Sequence, residues 1–124
     1  MLIALWAWAL VQAPGATGRL IENYRQYPDR YIRILDESWK LDPAGTTATH
    51  SFTLKNTAGV AYSDVTLRIA YQNSAGKDLQ VQSLKIPGIL KAYEIKKIKD
   101  FKVKNVPEKS DQAVISIAKA LIHS

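Results

Sequence analysis

The chain contains no cysteine and only two histidines among its 124 residues. The lack of cysteine excludes disulfides, thiolate nucleophiles and cysteine-ligated metal sites. The sequence also lacks a Gly-x-Ser-x-Gly motif, a phosphate-binding glycine loop, a zinc-ligand spacing and a calcium loop. These absences argue against an enzyme and predict no catalytic residue, no cofactor and no metal ion.

The remaining polar candidates favour structural roles. His50 begins an alternating segment, and we expect it at the rim of a strand or in a cap. Asp36 and Glu37 are adjacent carboxylates, but neighbouring strand residues point to opposite faces, so we expect a solvated edge or an ion pair. Trp39 is expected in the core between two sheets, with an exposed interface anchor as the alternative.

The chain also lacks an uncharged run long enough to cross a bilayer as a helix. Residues 1–13 carry no charged side chain, but as a helix they would reach only about 20 Å of the roughly 30 Å hydrocarbon core. An uncleaved short membrane anchor, a cleaved export signal and a helix buried against another protein all remain open. The anchoring side chains, in lipid or in a partner, would be Leu2, Ile3, Leu5, Trp6, Trp8 and Leu10.

The orientation signals disagree. Arg19, Arg25 and Arg30 follow the apolar run, and the positive-inside tendency would keep the following domain cytoplasmic. Val11-Gln12-Ala13 offers the small-x-small pattern of a signal peptidase site. We expect a membrane-associated protein whose domain is extracytoplasmic (periplasmic).

Length and composition predict one domain with a continuous core, since 47% of the residues are hydrophobic and 23% are charged. Residues 14–30 form a linker that begins with the breaker cluster Pro14-Gly15-Ala16-Thr17-Gly18 and includes a short amphipathic helix ending at Pro28. The domain proper covers residues 31–124.

Alternation with a period of two predicts strands after residue 31. It is clearest where Val65, Leu67, Ile69 and Tyr71 alternate with polar residues. The inward parity switches near Leu35-Asp36, which predicts a bulge or a strand that changes sheets. Six or seven strands without intervening helices predict an all-β, immunoglobulin-like sandwich of two antiparallel sheets, preceded by a short apolar N-terminal helix.

The net charge is +6, and lysines cluster between residues 91 and 104. They predict an electrostatic face for an anionic partner, with a solvated strand as the alternative. The run lacks arginine and contains few aromatic residues for base stacking, so we expect no nucleic acid. The face would consist of Lys96, Lys97, Lys99, Lys102 and Lys104.

The order of strands and turns resembles that of the FxLYD-type bacterial domains. The resemblance rests on Phe52-Thr53-Leu54-Lys55-Asn56-Thr57, on Val65-Thr66-Leu67-Arg68-Ile69-Ala70-Tyr71, on Gly76-Lys77 and on Leu90-Lys91-Ala92-Tyr93-Glu94, where Tyr93 replaces a common glycine. It covers roughly residues 31–121 and implies an exported or membrane-tethered, non-catalytic module.

Two functions follow as expectations. The first is an accessory or structural subunit that docks its sandwich onto a larger membrane-bound complex, with protein subunits as partners and membrane lipid at the N-terminus. The alternative is an independent exported binding module that recognises a protein, a glycan or an acidic surface.

Overall fold

The computed structural model describes residues 14–123, with side chains from residue 18 onward. The apolar helix expected in residues 1–13 and its anchoring side chains therefore lie outside the described residues. The elements are α1 (Pro14–Gln26), α2 (Pro28–Tyr31), β1 (Ile32–Leu41), β2 (Thr47–Asn56), β3 (Ala61–Gln72), β4 (Asp78–Lys85), β5 (Ile89–Leu90), β6 (Ile95–Lys104) and β7 (Gln112–His123).

The linker helix is longer than the sequence suggests. The breaker cluster that starts at Pro14 lies inside α1, because a proline at the first helical position needs no hydrogen-bond partner for its nitrogen. The predicted stop before Pro28 is confirmed, since α1 ends at Gln26 and Pro28 begins α2.

The seven strands form two antiparallel sheets, as predicted. Sheet 1 has the order β1-β2-β6. In sheet 2, β3 is the central strand. β7 pairs with one of its edges, and β4 and the short β5 pair with consecutive parts of the other edge. The core fills the space between the sheets, with Leu67, Ile69 and Tyr71 of β3 and Phe52 and Leu54 of β2 all at most 2% exposed. The molecule is therefore a two-sheet β-sandwich.

The two strands that flank β2 each contain a bulge opposite the middle of β2. In β1 the register shifts between Leu35 and Ser38, where Asp36 has a φ of 53°, and this confirms the predicted switch of parity. A second bulge, not predicted, falls in β6 at Asp100, whose φ is 55°. Each bulge adds one residue, so outward positions change from odd to even numbers along both strands.

Two buried polar side chains organise the end of the sandwich where the helices lie, the helical end. The Tyr62 hydroxyl donates to the Tyr24 carbonyl oxygen at 2.7 Å and ties α1 to β3. Burial raises the pKa of Tyr62 to about 12. The Asn56 amide donates to the carbonyl oxygens of Val60 and Lys91 and accepts from the Ala58 N–H, so every arm of this buried side chain has a partner.

Candidate interaction surface

The lysines of β6 reach one face of the sandwich because of the bulge at Asp100. Before the bulge, Lys97 and Lys99 point outward, and after it Lys102 and Lys104 do. The inward positions change in the same way. Ile98 points inward before the bulge, and Phe101 and Val103, which pair with buried His50 and Ala48, point inward after it. Without the extra residue the two pairs of lysines would point to opposite faces.

Three further cations join these lysines from β1 and β2. Arg33 lies directly opposite Lys55, and Lys40 and Lys102 lie on either side of Thr49. The basic face therefore consists of seven exposed cations on the outer surface of sheet 1, namely Arg33, Lys40, Lys55, Lys97, Lys99, Lys102 and Lys104. Short hydroxyl side chains of β2 separate them, so long basic side chains border a polar strip.

Little on this face neutralises its charge. Within the part of the chain that the structure describes, the one ion pair joins Arg25 to Glu22 on α1, at 2.6 Å. The carboxylates Asp36, Glu37 and Asp100 lie at the two bulges, and Asp42 lies just beyond β1 near Lys102, but none of them forms an ion pair with a cation of the face. The face therefore carries a net positive field that extends into solvent and attracts anionic surfaces.

Lys96, predicted as part of the electrostatic face, lies elsewhere. It pairs with inward-facing Leu54 and is only half-exposed, and its Nζ lies 3.4 Å from the Ile89 carbonyl oxygen. Alternation along the strand requires this, because Lys97 next to it points outward. Sequence reasoning missed Arg33, Lys40 and Lys55, since strand pairing brings them beside β6. The parity of β1 and β2 was the available signal.

His50 is a core residue, not the rim or cap residue expected from the sequence. It is 1% exposed, its Nε2 lies 2.8 Å from the Tyr71 hydroxyl, and the Trp39 ring stacks on it at 5.8 Å. Burial lowers the pKa of His50 to about 4 and raises the pKa of Tyr71. The imidazole is therefore neutral at physiological pH and is closed off from any substrate in solution.

Trp39 packs against the core as expected but stays half-exposed at its margin. Asp36 and Glu37 are both exposed, as expected for a solvated edge, and partial burial raises the pKa of Glu37. Among residues 14–123, no group of three histidine or carboxylate side chains is placed to hold a metal ion.

The two long sides of the sandwich, where an edge of one sheet faces an edge of the other, differ. On the bridged side, between β4 and β6, the Gln80 amide donates to the Asn105 carbonyl oxygen at 2.9 Å. The Gln82 amide donates to the Lys104 carbonyl oxygen at 3.0 Å. On the open side, between β1 and β7, lies a groove of about 570 Å³. Isoleucine and leucine side chains of both strands line it together with the charged residues Asp29, Arg33 and Glu37.

The helical end carries exposed apolar side chains. Tyr93 and Ile95 are 70% and 62% exposed, and Leu20 and Ile21 of α1 are exposed one turn before buried Tyr24. Tyr93 has a φ of 59°, in the left-handed region that favours glycine. These side chains lie at the same end of the sandwich as α1.

No known family model, curated protein or solved structure matches this chain. The likeness to FxLYD-type domains therefore stays a prediction. None of the helices described between residues 14 and 123 is both long enough and apolar enough to cross a bilayer.

Proposed function

We propose that the protein is a non-catalytic accessory subunit whose β-sandwich docks through the basic face onto an acidic surface of a larger, membrane-bound complex. The observation that carries this proposal is the set of seven exposed cations on one sheet, with no ion pair among them in the described residues. The alternative interpretation, that lysines only keep an edge strand solvated, accounts for charges on β6 alone. Here the cations of three strands share one surface.

The exposed apolar side chains of the helical end support the membrane-bound part of this proposal. Tyr93 and Ile95 resemble the aromatic and aliphatic side chains that contact lipid headgroups or protein partners. They lie at the same end of the sandwich as α1, the first helix that the structure describes. In this arrangement Leu2, Ile3, Leu5, Trp6, Trp8 and Leu10 enter lipid or a partner, and the basic face remains available in the extracytoplasmic space.

The strand order also supports an immunoglobulin-like sandwich. Sheets of the order β1-β2-β6 and β4-β3-β7 correspond to the first, second and fifth strands packed against the third and sixth in that fold. Such sandwiches serve widely as binding modules. The FxLYD-type resemblance points to the same class of function.

The first experiment replaces Lys97, Lys99, Lys102 and Lys104 with glutamine in the full chain. The matched control replaces Lys77, Lys85, Lys109 and Lys119, four exposed lysines outside the basic face, and so changes the net charge equally. Membranes of the producing cells are extracted in mild detergent, and the complex that contains the chain is sized and its subunits identified. We expect the basic-face variant, but not the control, to leave the complex, and the wild-type association to weaken with salt. Equal behaviour of the two variants would overturn the proposed docking.

The alternative is an independent exported module that binds an acidic partner with the same face. The fate of residues 1–13 separates the two functions, and mass spectrometry of the N-terminal peptide reads it directly. The double variant Leu5→Asp, Trp8→Asp should release an anchored subunit from the membrane fraction. If association survives this change, the anchor is excluded.

A further inference from the structure

Tyr93 is strained and exposed at the same time. Its φ of 59° costs free energy for a bulky side chain, and with 70% of the side chain exposed, burial recovers little of that cost. The ring is nevertheless held in place, since a Cβ at Gly59 would lie 3.0 Å from the Tyr93 hydroxyl oxygen. A bulky ring kept exposed at a strained position favours contact with something outside the folded domain.

Exposed apolar side chains of α1 lie at the same end of the sandwich. The Tyr24 hydroxyl approaches the same glycine as the Tyr93 hydroxyl, at 3.8 Å from that Cβ position. Leu20 and Ile21 share the helix face of Tyr24, but they are 45% and 39% exposed, whereas Tyr24 is buried. The apolar face of α1 is therefore uncovered one turn before Tyr24. The apolar tip consists of Leu20, Ile21, Tyr93 and Ile95, of which Ile95 is 62% exposed.

Exposed cations surround the apolar tip. Arg19 precedes Leu20 on α1, and Lys91 lies in the same turn as Tyr93. Ile95 pairs with Lys55 across sheet 1, and Lys55 pairs in turn with Arg33 of β1. Within the described part of the chain, none of these four cations forms an ion pair.

The carboxylates of α1, α2 and the β5–β6 turn do not offset these cations. Glu22 is paired with Arg25, and Glu94 accepts a hydrogen bond from the Lys91 backbone N–H at 2.8 Å. Asp29 of α2 lines the groove of the open side instead. The surroundings of the apolar tip are therefore net positive.

We propose that the apolar tip and its cations bind the surface of an anionic lipid bilayer. Apolar side chains can enter the boundary between headgroups and acyl chains, tyrosine favours this interface, and the cations lie close to lipid phosphates. Residues 1–13, which carry no charged side chain, directly precede α1 in the chain, and their insertion would bring the tip to the membrane. This lipid contact goes beyond the proposed docking of the basic face.

Flotation with lipid vesicles tests the apolar part of the contact. All proteins are full chains that also carry Leu5→Asp and Trp8→Asp, so that residues 1–13 do not insert by themselves. The variant Tyr93→Gly, Ile95→Ser removes two side chains of the tip, and glycine at position 93 relieves the strained backbone. The control Val81→Ser, Val114→Ser removes two exposed apolar side chains that both pair with Ala70 on sheet 2.

On vesicles in which about a third of the phosphatidylcholine is replaced by phosphatidylglycerol, we expect the parent chain and the control to bind. The tip variant should bind at least tenfold more weakly while its thermal unfolding shows no loss of stability. No binding of the parent chain, or equal binding of the tip variant and the control, would overturn the proposal. Because the vesicles contain no protein, this result is independent of the docking of the basic face.

Charge substitutions test the preference for anionic lipid. The variant Arg19→Gln, Lys91→Gln should weaken binding to the phosphatidylglycerol vesicles roughly tenfold, and salt should weaken binding of the parent chain. The control Lys77→Gln, Lys109→Gln changes two exposed lysines in the loops at the opposite end of the sandwich and should bind like the parent chain. Equal binding of the parent chain to vesicles of phosphatidylcholine alone, or equal weakening by the two pairs of substitutions, would overturn the proposal.

Discussion

The bridged side and the open side of the sandwich show two ways in which neighbouring sheets can meet. On the bridged side, the inward residues Gln80 and Gln82 of an edge strand reach across and bond to the backbone at the end of β6. On the open side, the inward residues Ile115 and Ile117 of β7 are apolar and can satisfy no backbone group of β1. Polar side chains directed inward close one side of the sandwich, whereas apolar ones leave a groove on the other.

The largest effect should come from truncating the side chains that flank Leu67 on the two sides. Ile117 of β7 and Leu84 of β4 both pair with Leu67, but Ile117 is buried and Leu84 is half-buried. We expect Ile117→Ala to lower the free energy of unfolding by about 3 kcal/mol and Leu84→Ala to lower it by roughly half as much. Urea titration of both variants measures this difference. An equal loss would mean that the open side is no better packed near Leu67 than the bridged side.

The next effect is a loss of folding stability in acid. It should destabilise the bridged side and the open side together, because His50 lies in the core between them. Its folded pKa of about 4 is below the ordinary value of 6.5, so the unfolded chain binds the proton more readily. Stability is therefore complete above about pH 6.5 and falls as the pH drops toward 4, by up to about 2–3 kcal/mol.

The variant His50→Gln isolates this contribution, since carboxylates titrate in both proteins. The difference in unfolding free energy between wild type and variant should change with pH between 6.5 and 4. A constant difference across this range would contradict the assignment of a buried, neutral His50.

A smaller effect should come from opening the bridged side. The double variant Gln80→Ala, Gln82→Ala removes both hydrogen bonds to the end of β6 and should cost about 1–2 kcal/mol. Amide hydrogen exchange should become faster near Lys104 and Asn105 while β7 stays unchanged. Ser83→Ala, at an exposed position of the same strand, serves as the control and should stay within about 0.5 kcal/mol of wild type. If the double variant behaves like this control, the glutamines do not hold the sheets together.

The smallest effect is expected at the helical end, away from both sides. Tyr93→Gly removes the side chain from a residue with a φ of 59° and should stabilise the fold by up to about 1 kcal/mol. Tyr93→Ala keeps the strained backbone and removes the same exposed ring, so it should not stabilise. Thermal unfolding compares the two, and a gain in both would assign the effect to the ring and not to the backbone.

Much of the fold could be predicted because half-buried strands show alternating apolar and polar residues in the sequence. The β3 pattern around Leu67 and the parity switch at Asp36 are local features, since a strand with one buried face must alternate and a bulge must break that alternation. The bulge at Asp100 was not predicted, although the sequence carries a signal for it: the inward residues Ile98 and Phe101 are three positions apart, whereas an unbroken strand would place them two or four apart.

The candidate surface could be predicted only in part. The lysines of β6 stand out in the sequence, but Lys96 was included and Arg33, Lys40 and Lys55 were not. Local composition shows a charge cluster, whereas membership of one face depends on which strands pair. His50 was misplaced because the first residues of an alternating segment look exposed until the partner strands, here with Trp39 and Tyr71, enclose them.

The sequence by itself determined the class of the fold, the positions of most strands and turns, and the excess of positive charge. These follow from local periodicity and composition, which act between residues near in the chain. The tertiary structure alone decided that seven cations share one face, that His50 is buried, and that one side is bridged while the other is open. Each of these depends on register between strands distant in sequence, and register is set by the packing of the whole core.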